Sequence, residues 1–269
     1  MFLTFSVSIL SSGSEGNSLY VEGERGKILI DAGLSGKKLE ERLNESHRSL
    51  KDIDAVFVTH EHSDHIKGIG VLARRYGIDI YANEGTWQEI LKKKSLGEIP
   101  LEQRHIMEKN KVLTVGDLDI ESFGVSHDSR DAQFYQVHHQ GKAFVDLTDT
   151  GYCSERLQDR LKNANMYLIE SNHDVNMLQM GSYPWELKQR ILGDTGHLSN
   201  EDGAMVMSNM FGNKTKYIFL GHRSKENNMK ELAHQVMVDT LTQKDIGVGH
   251  EVFVHDTEVT EATPLIEVI

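Results

Sequence analysis

The stretch "THEHSDHIKG", Thr59 to Gly68, follows the apolar run "AVFV" and constrains the fold more than any other segment. Three histidines, a glutamate and an aspartate lie between His60 and His65. His60 and His62 stand two residues apart, a spacing that puts both imidazoles on one side of an extended segment. Asp64 and His65 open the run "HIKGIGVLARRYG". There Ile66, Ile69, Leu72, Ala73 and Tyr76 recur at helical spacing and Gly77 is the stop. Ser63 or Asp64 can cap that helix. A cap does not account for three histidines at the end of a buried strand, where α/β proteins place their ligands. His60, His62, Asp64 and His65 therefore read as metal donors. One loop cannot close two coordination shells, so the fold must bring further donors from far along the chain.

Three residues fit that requirement. His127 ends "IESFGVSH", Asp149 ends "KAFVDLTD" and His222 ends "KYIFLGH". Each directly follows an apolar strand-like run, and their wide separation excludes a local finger. Asp146 rivals Asp149 but would sit inside the strand. His47, His105, His234, His250 and His255 are isolated. His138 and His139 straddle a hairpin strand near a Gln140-Gly141 turn, and alternation sends them to opposite faces.

The rest of the chain alternates between periods. "KILIDAG", "IDAVFVTH" and "IDIYA" read as strands, with "TWQEILKKKS" a short helix. The middle, 111–125 and 132–151, is strand-rich. "SERLQDRLKNA", "SNEDGAMVMSNMFG" and "NMKELAHQVMVDTLTQ" read as helices, the last two capped by Ser199 or Asn200 and by Asn228. At the start, Thr4, Ser6 and Ser8 alternate with Phe5, Val7 and Ile9, the pattern of a half-buried strand rather than a signal peptide. Two strand-rich stretches with helices between and after predict an α/β sandwich of two sheets. The 269 residues are compatible with one domain.

Composition narrows the partners. With 29 basic and 41 acidic residues the net charge is −12, which argues against a broad basic face that wraps duplex DNA. It does not exclude a polyanionic substrate, because bound ions add positive charge locally. The single cysteine, Cys153, forms no internal disulfide or multi-cysteine zinc site and reads as a packing residue. No apolar run reaches the ~18 residues of a membrane span. A cytoplasmic enzyme without a membrane partner is the expectation; the oligomeric state is left open.

The order H-x-H-x-D-H, then a distant His, Asp and His, resembles the metallo-β-lactamase superfamily from "ILIDAG" to "LGH". That resemblance implies a four-layer αββα sandwich of two mixed β-sheets flanked by helices. It assigns His60, His62 and His127 to one metal, and Asp64, His65 and His222 to the second. Asp149 would bridge them with a hydroxide, and "TDTG" resembles the family's motif there. Asp31 in "ILIDAG" matches a buried aspartate that supports the ligand loop. All seven ligands are nitrogen or oxygen donors, which suit two divalent ions, Zn²⁺, Mn²⁺ or Fe²⁺.

Features outside those ligands point to the substrate. "ESNHD" (170–174) and "GHLSNEDGA" (196–204) resemble segments of the RNase Z and PhnP-like phosphodiesterases. In such relatives the histidine corresponding to His197 contacts the scissile phosphate and protonates the leaving oxygen. "LGHRSKENN" sets Arg223, Lys225 and Asn227 beside His222, donors suited to phosphate oxygens. His173 and Ser199 complete the expected substrate contacts. With "SSGSEGNS" at the start, these segments resemble the WalJ (YycJ)-like nuclease branch. The resemblance implies a 5′-to-3′ DNA exonuclease with Asp64, Asp149 and His197 as catalytic residues and a dinuclear-metal-activated hydroxide. It also implies one domain over 1–269 with no β-CASP insertion between Asp149 and His222. The alternative is a small-molecule metallohydrolase acting on a thioester, lactone or cyclic phosphodiester.

Overall fold

A computed structural model describes residues 5–269. Its strands form two mixed sheets of seven strands each. The chain divides into two compact units. The first holds residues 5–124, Ser129–Gly141 and Thr257–Val268; the second holds Val125–Asp128 and Lys142–Asp256.

In the first unit, β1 (Ser6–Ser11), β2 (Ser18–Glu22) and β3 (Lys27–Ile30) run antiparallel. From β3 the sheet continues in parallel through β4 (Ala55–Phe57), β5 (Asp79–Ala82) and β6 (Arg104–Ile106). A short strand, Ile266–Glu267, pairs with β1. Parallel pairing requires crossovers. They are made by α1 (Gly36–Glu45), then α2 (Ser63–Ile66) with α3 (Ile69–Tyr76), then α4 (Glu84–Ile90). Ser35 and Asn83 cap α1 and α4 through their side-chain oxygens. Gly77 ends α3 at φ 69°, left-handed backbone that glycine adopts without strain. The helices bury Leu39, Leu43, Ile69, Leu72, Trp87 and Ile90 in one core with Leu29, Val56 and Ile80. Each such side chain contributes ~1.5–3 kcal/mol on leaving water.

The alternation in β1 predicts a half-buried strand, yet Ser6 and Ser8 are buried as well. The segment 257–268 covers their face. Ser8 Oγ donates to the Thr263 carbonyl at 2.7 Å, and Ser11 Oγ donates to the Val259 carbonyl at 3.1 Å. Thr4, part of the same pattern, lies outside the described residues. β7 (Val112–Val115), β8 (Leu118–Gly124) and β9 (Gln133–His139) make an antiparallel ladder. Tyr135 of β9 donates its hydroxyl to the Val58 carbonyl at 2.8 Å. Gln140 and Gly141 turn at φ 50° and 78°. His138 and His139 face opposite ways, with side chains 37% and 3% exposed.

Glu22 of β2 is a stability feature of this unit. Its two oxygens accept from Arg48 Nη2 and Nε, both at 2.7 Å, and Tyr20 donates its hydroxyl at 2.6 Å. Burial raises the Glu22 carboxyl, but the hydrogen bonds from Arg48 and Tyr20 outweigh it and leave the carboxyl below its ordinary value of 4.5. A depressed folded value means the stabilisation is complete above the unfolded value and lost as pH falls through the folded one. Glu22→Gln is expected to lower unfolding free energy at neutral pH by about 1.5–3 kcal/mol, the range for hydrogen bonds to a charged group. Denaturant titration should show the gap to wild type closing in acid. A gap that stays constant with pH would remove the charge from the explanation.

The second unit is a parallel series: β10 (Lys142–Leu147), β11 (Met166–Glu170), β12 (Tyr217–Gly221) and β13 (Phe253–Asp256). α5 (Glu155–Leu161) connects β10 to β11. α6 (Val175–Met180), α7 (Trp185–Leu192) and α8 (Asn200–Met210) lie between β11 and β12, and α9 (Lys230–Gln243) precedes β13. Ser199 caps α8, as the sequence predicts. Asn228 does not cap α9, whose N-cap is Met229. Its amide instead pairs reciprocally with Asn200 at 2.8 and 3.0 Å, tying the starts of α8 and α9 together. Cys153 is buried, which pushes its thiol up to about 12. Among the described residues no helix is long and apolar enough to cross a membrane.

Candidate metal centre

In the first unit the ligand loop leaves the C-terminal end of β4. Thr59 and His60 are fully buried. The His60 ring lies 4.6 Å from that of His62 and 4.1 Å from that of His65 between centroids. Asp64 Oδ2 sits 3.5 Å from His65 Nε2. Asp31, at the end of β3, organises this cluster. It accepts from Thr59 N at 2.8 Å, from Thr59 Oγ1 at 2.7 Å and from His65 Nδ1 at 2.7 Å. Burial raises the Asp31 carboxyl despite the nearby His65 and these hydrogen bonds. With Nδ1 turned to a carboxylate, His65 keeps Nε2 as its donor nitrogen, the arrangement of a metal-ligating histidine. Glu61 is a support: its Oε1 accepts from Arg130 N at 2.7 Å. Asn17, which the sequence reading passes over, places Nδ2 3.2 Å from Asp64 Oδ2 and 3.0 Å from His65 Nε2. Gly33 permits this packing, since a Cβ there would overlap the Asp64 carbonyl.

In the second unit three adjacent parallel strands deliver side chains at their C-terminal ends. Asp149 follows β10, Glu170 closes β11 and His222 follows β12, with Glu170 in register with Gly221. Asp149, Glu170, His197 and His222 each offer a ligand atom within 4.8 Å of the others. His222 Nδ1 lies 3.1 Å from Asp149 Oδ1 and 3.0 Å from Glu170 Oε1. His197 arrives from the loop between α7 and α8, and its Nδ1 is 2.8 Å from Glu170 Oε1. Its side chain is 21% exposed, whereas that of Glu170 is sealed. Burial alone would raise Glu170, but the His197 charge and hydrogen bonds from His197 and His222 hold it well below the usual carboxylate range. Burial lowers His197, and the Glu170 charge and hydrogen bond reverse this, so the ring is more basic than usual. His127 is buried, with Nδ1 3.4 Å from the Gly196 carbonyl. Its loop is fixed by Gly151 N, which donates to the Ser126 carbonyl at 3.0 Å.

Asp31, Asp149 and His222 adopt φ of 60°, 47° and 50°, left-handed backbone in which aspartate and histidine are enriched over most residues. The donor set of nitrogen and carboxylate oxygen suits divalent metal ions.

Comparison with known proteins agrees. Residues 26–219 match the family model described as Beta-lactamase superfamily domain. Exodeoxyribonuclease WalJ of Streptococcus pneumoniae is 58% identical over 264 residues, 98% of each chain. The chain belongs to the WalJ/YycJ branch of the metallo-β-lactamase superfamily. Exodeoxyribonuclease YycJ of Bacillus anthracis is 48% identical over 251 residues, covering 93% of this chain and 94% of that one. The metallo-β-lactamase fold protein YhfI from Bacillus subtilis superposes with a TM-score of 0.71 at 15% identity, covering 97% and 99% of the two chains. The fold is therefore the α/β sandwich of two mixed sheets that the sequence predicts, and this WalJ/YycJ relative is a metal-dependent hydrolase.

The expected substrate contacts fare unevenly as geometry. Lys225 is exposed and Arg223 partly so, with Nη1 4.0 Å from Asp256 Oδ1. Ser199 is buried; its Oγ accepts from Asp202 N at 3.0 Å and donates to Asp202 Oδ2 at 2.7 Å, so the hydroxyl serves the helix. Asn227 is buried, and its carbonyl accepts from Asp174 N at 2.9 Å. His173 is buried, which lowers its basicity, and its Nδ1 lies 3.4 Å from Asn172 Oδ1. The sequence reading singles out the segment "ESNHD" but gives its first residue, Glu170, no role in the site. The available signal is an acidic residue closing the apolar run "MYLI" of a parallel strand.

Proposed function

We propose that this chain is a metal-dependent exodeoxyribonuclease that shortens DNA from the 5′ end, and that it acts in the cytoplasm as a single domain without a β-CASP insertion. Its relatives named exodeoxyribonuclease, aligned over nearly their whole length, support the substrate class. The family's ligand order supports two divalent ions, Zn²⁺, Mn²⁺ or Fe²⁺. His60, His62 and His127 would hold one; Asp64, His65 and His222 would hold the other; Asp149 would bridge. When bound, such ions lower the pKa of water and neutralise charge on a phosphate.

The observation that carries the phosphodiester reading is the Glu170–His197 pair. A sealed carboxylate accepts a hydrogen bond at 2.8 Å from Nδ1 of a ring that is itself partly open. Nε2 is thereby aimed outward as a proton donor. A sugar alkoxide is a poor leaving group and needs that proton as the phosphorus–oxygen bond breaks. A thiolate leaves without one, since thiols are already acidic near neutral pH. The pair therefore favours a phosphodiester over a thioester. Asp31 and Glu170 hold His65 and His222 in their ligating orientation, and Arg223 with Lys225 offers charge to phosphate oxygens.

The test uses end-labelled single- and double-stranded DNA and RNA with Mn²⁺ and Zn²⁺, beside a thioester panel. Stepwise loss from the 5′ end of DNA is expected. Turnover confined to thioesters would remove the nuclease reading. His197→Ala should lower kcat on DNA ~10²-fold, the lower bound for a general acid, with bound metal unchanged. Metal loss in that variant would make His197 a ligand instead.

A further inference from the structure

A groove of about 380 Å³ opens beside the ligand loop, wholly within the first unit. Asp64 lines it, so the groove begins at a ligand. Three separate segments supply donors: Ser14 from the β1–β2 loop, Ser63 and Lys67 from the ligand loop and α2, and Lys93 and Ser95 from the segment after α4. The buried side chains of Ile66 and Leu96 also line it. We propose that this groove holds a backbone phosphate of the nucleic-acid strand, adjacent to the phosphate being cleaved. The inference rests on the nuclease reading above and names a contact for that substrate.

The argument is one of charge. The protein carries −12 overall, and carboxylates are available to most of its cations. Lys92, next in sequence, pairs with Glu89 at 2.6 Å, and Lys37 pairs with Glu41 at 3.7 Å. Lys67 and Lys93 have no such ion pair among the described residues, though both border the same groove. Of the two carboxylates that share the lining, Asp64 is one of the proposed metal ligands, which leaves Lys67 and Lys93 facing Glu15 alone and gives the concavity a net positive charge. A phosphate answers that charge, with the three serine hydroxyls as donors to it. The volume falls within the range of small-ligand sites and exceeds a phosphate alone, leaving room for the attached sugar. The loop "SSGSEGNS" is fixed in place for this role, since Asn17 N donates to the Asp64 carbonyl at 2.7 Å and Asn17 Oδ1 accepts from Gly13 N at 2.8 Å.

The test is steady-state hydrolysis of a single-stranded DNA oligonucleotide by the metal-loaded protein across a salt series. For the double variant Lys67→Gln/Lys93→Gln, KM is expected to rise ~10-fold or more with kcat little changed, the pattern of binding energy lost equally from ground and transition states. The slope of log kcat/KM against log salt should shrink by about 0.7, the value for one phosphate contact on a single strand. Lys67→Arg/Lys93→Arg should keep the wild-type slope, and Lys92→Gln should behave as wild type. A glutamine variant with wild-type KM and slope overturns the groove while leaving the nuclease reading intact. A KM rise that arginine fails to restore assigns the lysines to packing and also overturns it. Wild-type protein that cuts no oligonucleotide sinks both readings together.

Discussion

Asp149→Ala is expected to abolish DNA cleavage and to lower the metal bound per chain. Asp149 is buried, follows β10 and places Oδ1 3.1 Å from His222 Nδ1. A buried carboxylate surrounded by imidazoles is held there by charge, and alanine removes the charge and both oxygens. Its backbone adds a second effect. Asp149 sits at φ 47°, and left-handed backbone costs alanine ~1–2 kcal/mol. Asp149→Asn separates the two, because asparagine tolerates that conformation and keeps the shape. The asparagine variant should melt near wild type yet remain inactive. Metal analysis by mass spectrometry, a thermal melt and a cleavage gel cover the prediction. Full metal content with full activity in either variant would mean that Asp149 is no bridge.

The most legible part of the candidate site in the sequence is the one written contiguously. His60, His62, Asp64 and His65 fall within six positions, and a strand followed by a helix fixes their relation locally. Asp149 and His222 were legible because each terminates an apolar run. Glu170 does the same, yet its role exists only because β10, β11 and β12 are neighbours, a fact of topology that no local pattern carries. Asn17 escaped for a similar reason, since its partners Asp64 and His65 lie in a loop far along the chain. Ser199 and Asn227 look like phosphate contacts in a linear reading; both are buried, the Ser199 hydroxyl is bonded to Asp202, and Asn227 is tied to Asp174 through its backbone carbonyl. The fold was legible wherever the period was clear. α6 and α7 were not, because Gly181 and Pro184 interrupt a short polar stretch. The burial of β1 depends on residues 257–268, which the alternation of Ser6 and Ser8 cannot register.

Glu170→Gln should reduce DNA cleavage ~10³-fold or more while the protein stays folded. One oxygen of Glu170, Oε1, serves both His197 Nδ1 at 2.8 Å and His222 Nδ1 at 3.0 Å, and the other accepts from Thr150 N at 3.0 Å and Leu198 N at 3.2 Å. The carboxylate thus fixes the tautomer of two imidazoles and the loops on either side. A glutamine of the same shape can still accept the backbone bonds. It cannot stay acceptor-only towards two ring nitrogens, so one imidazole must turn or change tautomer. Loss of the equivalent carboxylate behind a catalytic histidine costs ~10⁴ in kcat in the serine-protease triad. Loss of a carboxylate behind a ligating histidine costs ~10–100-fold in metal affinity. Both apply here through a single side chain, so the fall in rate should exceed that of His197→Ala, and metal affinity should fall where His197→Ala leaves it unchanged. Titrating Mn²⁺ into each variant distinguishes the contributions, because excess metal restores only the His222 share. Equal rates for the two variants at every metal concentration would show that Glu170 acts through His197 alone.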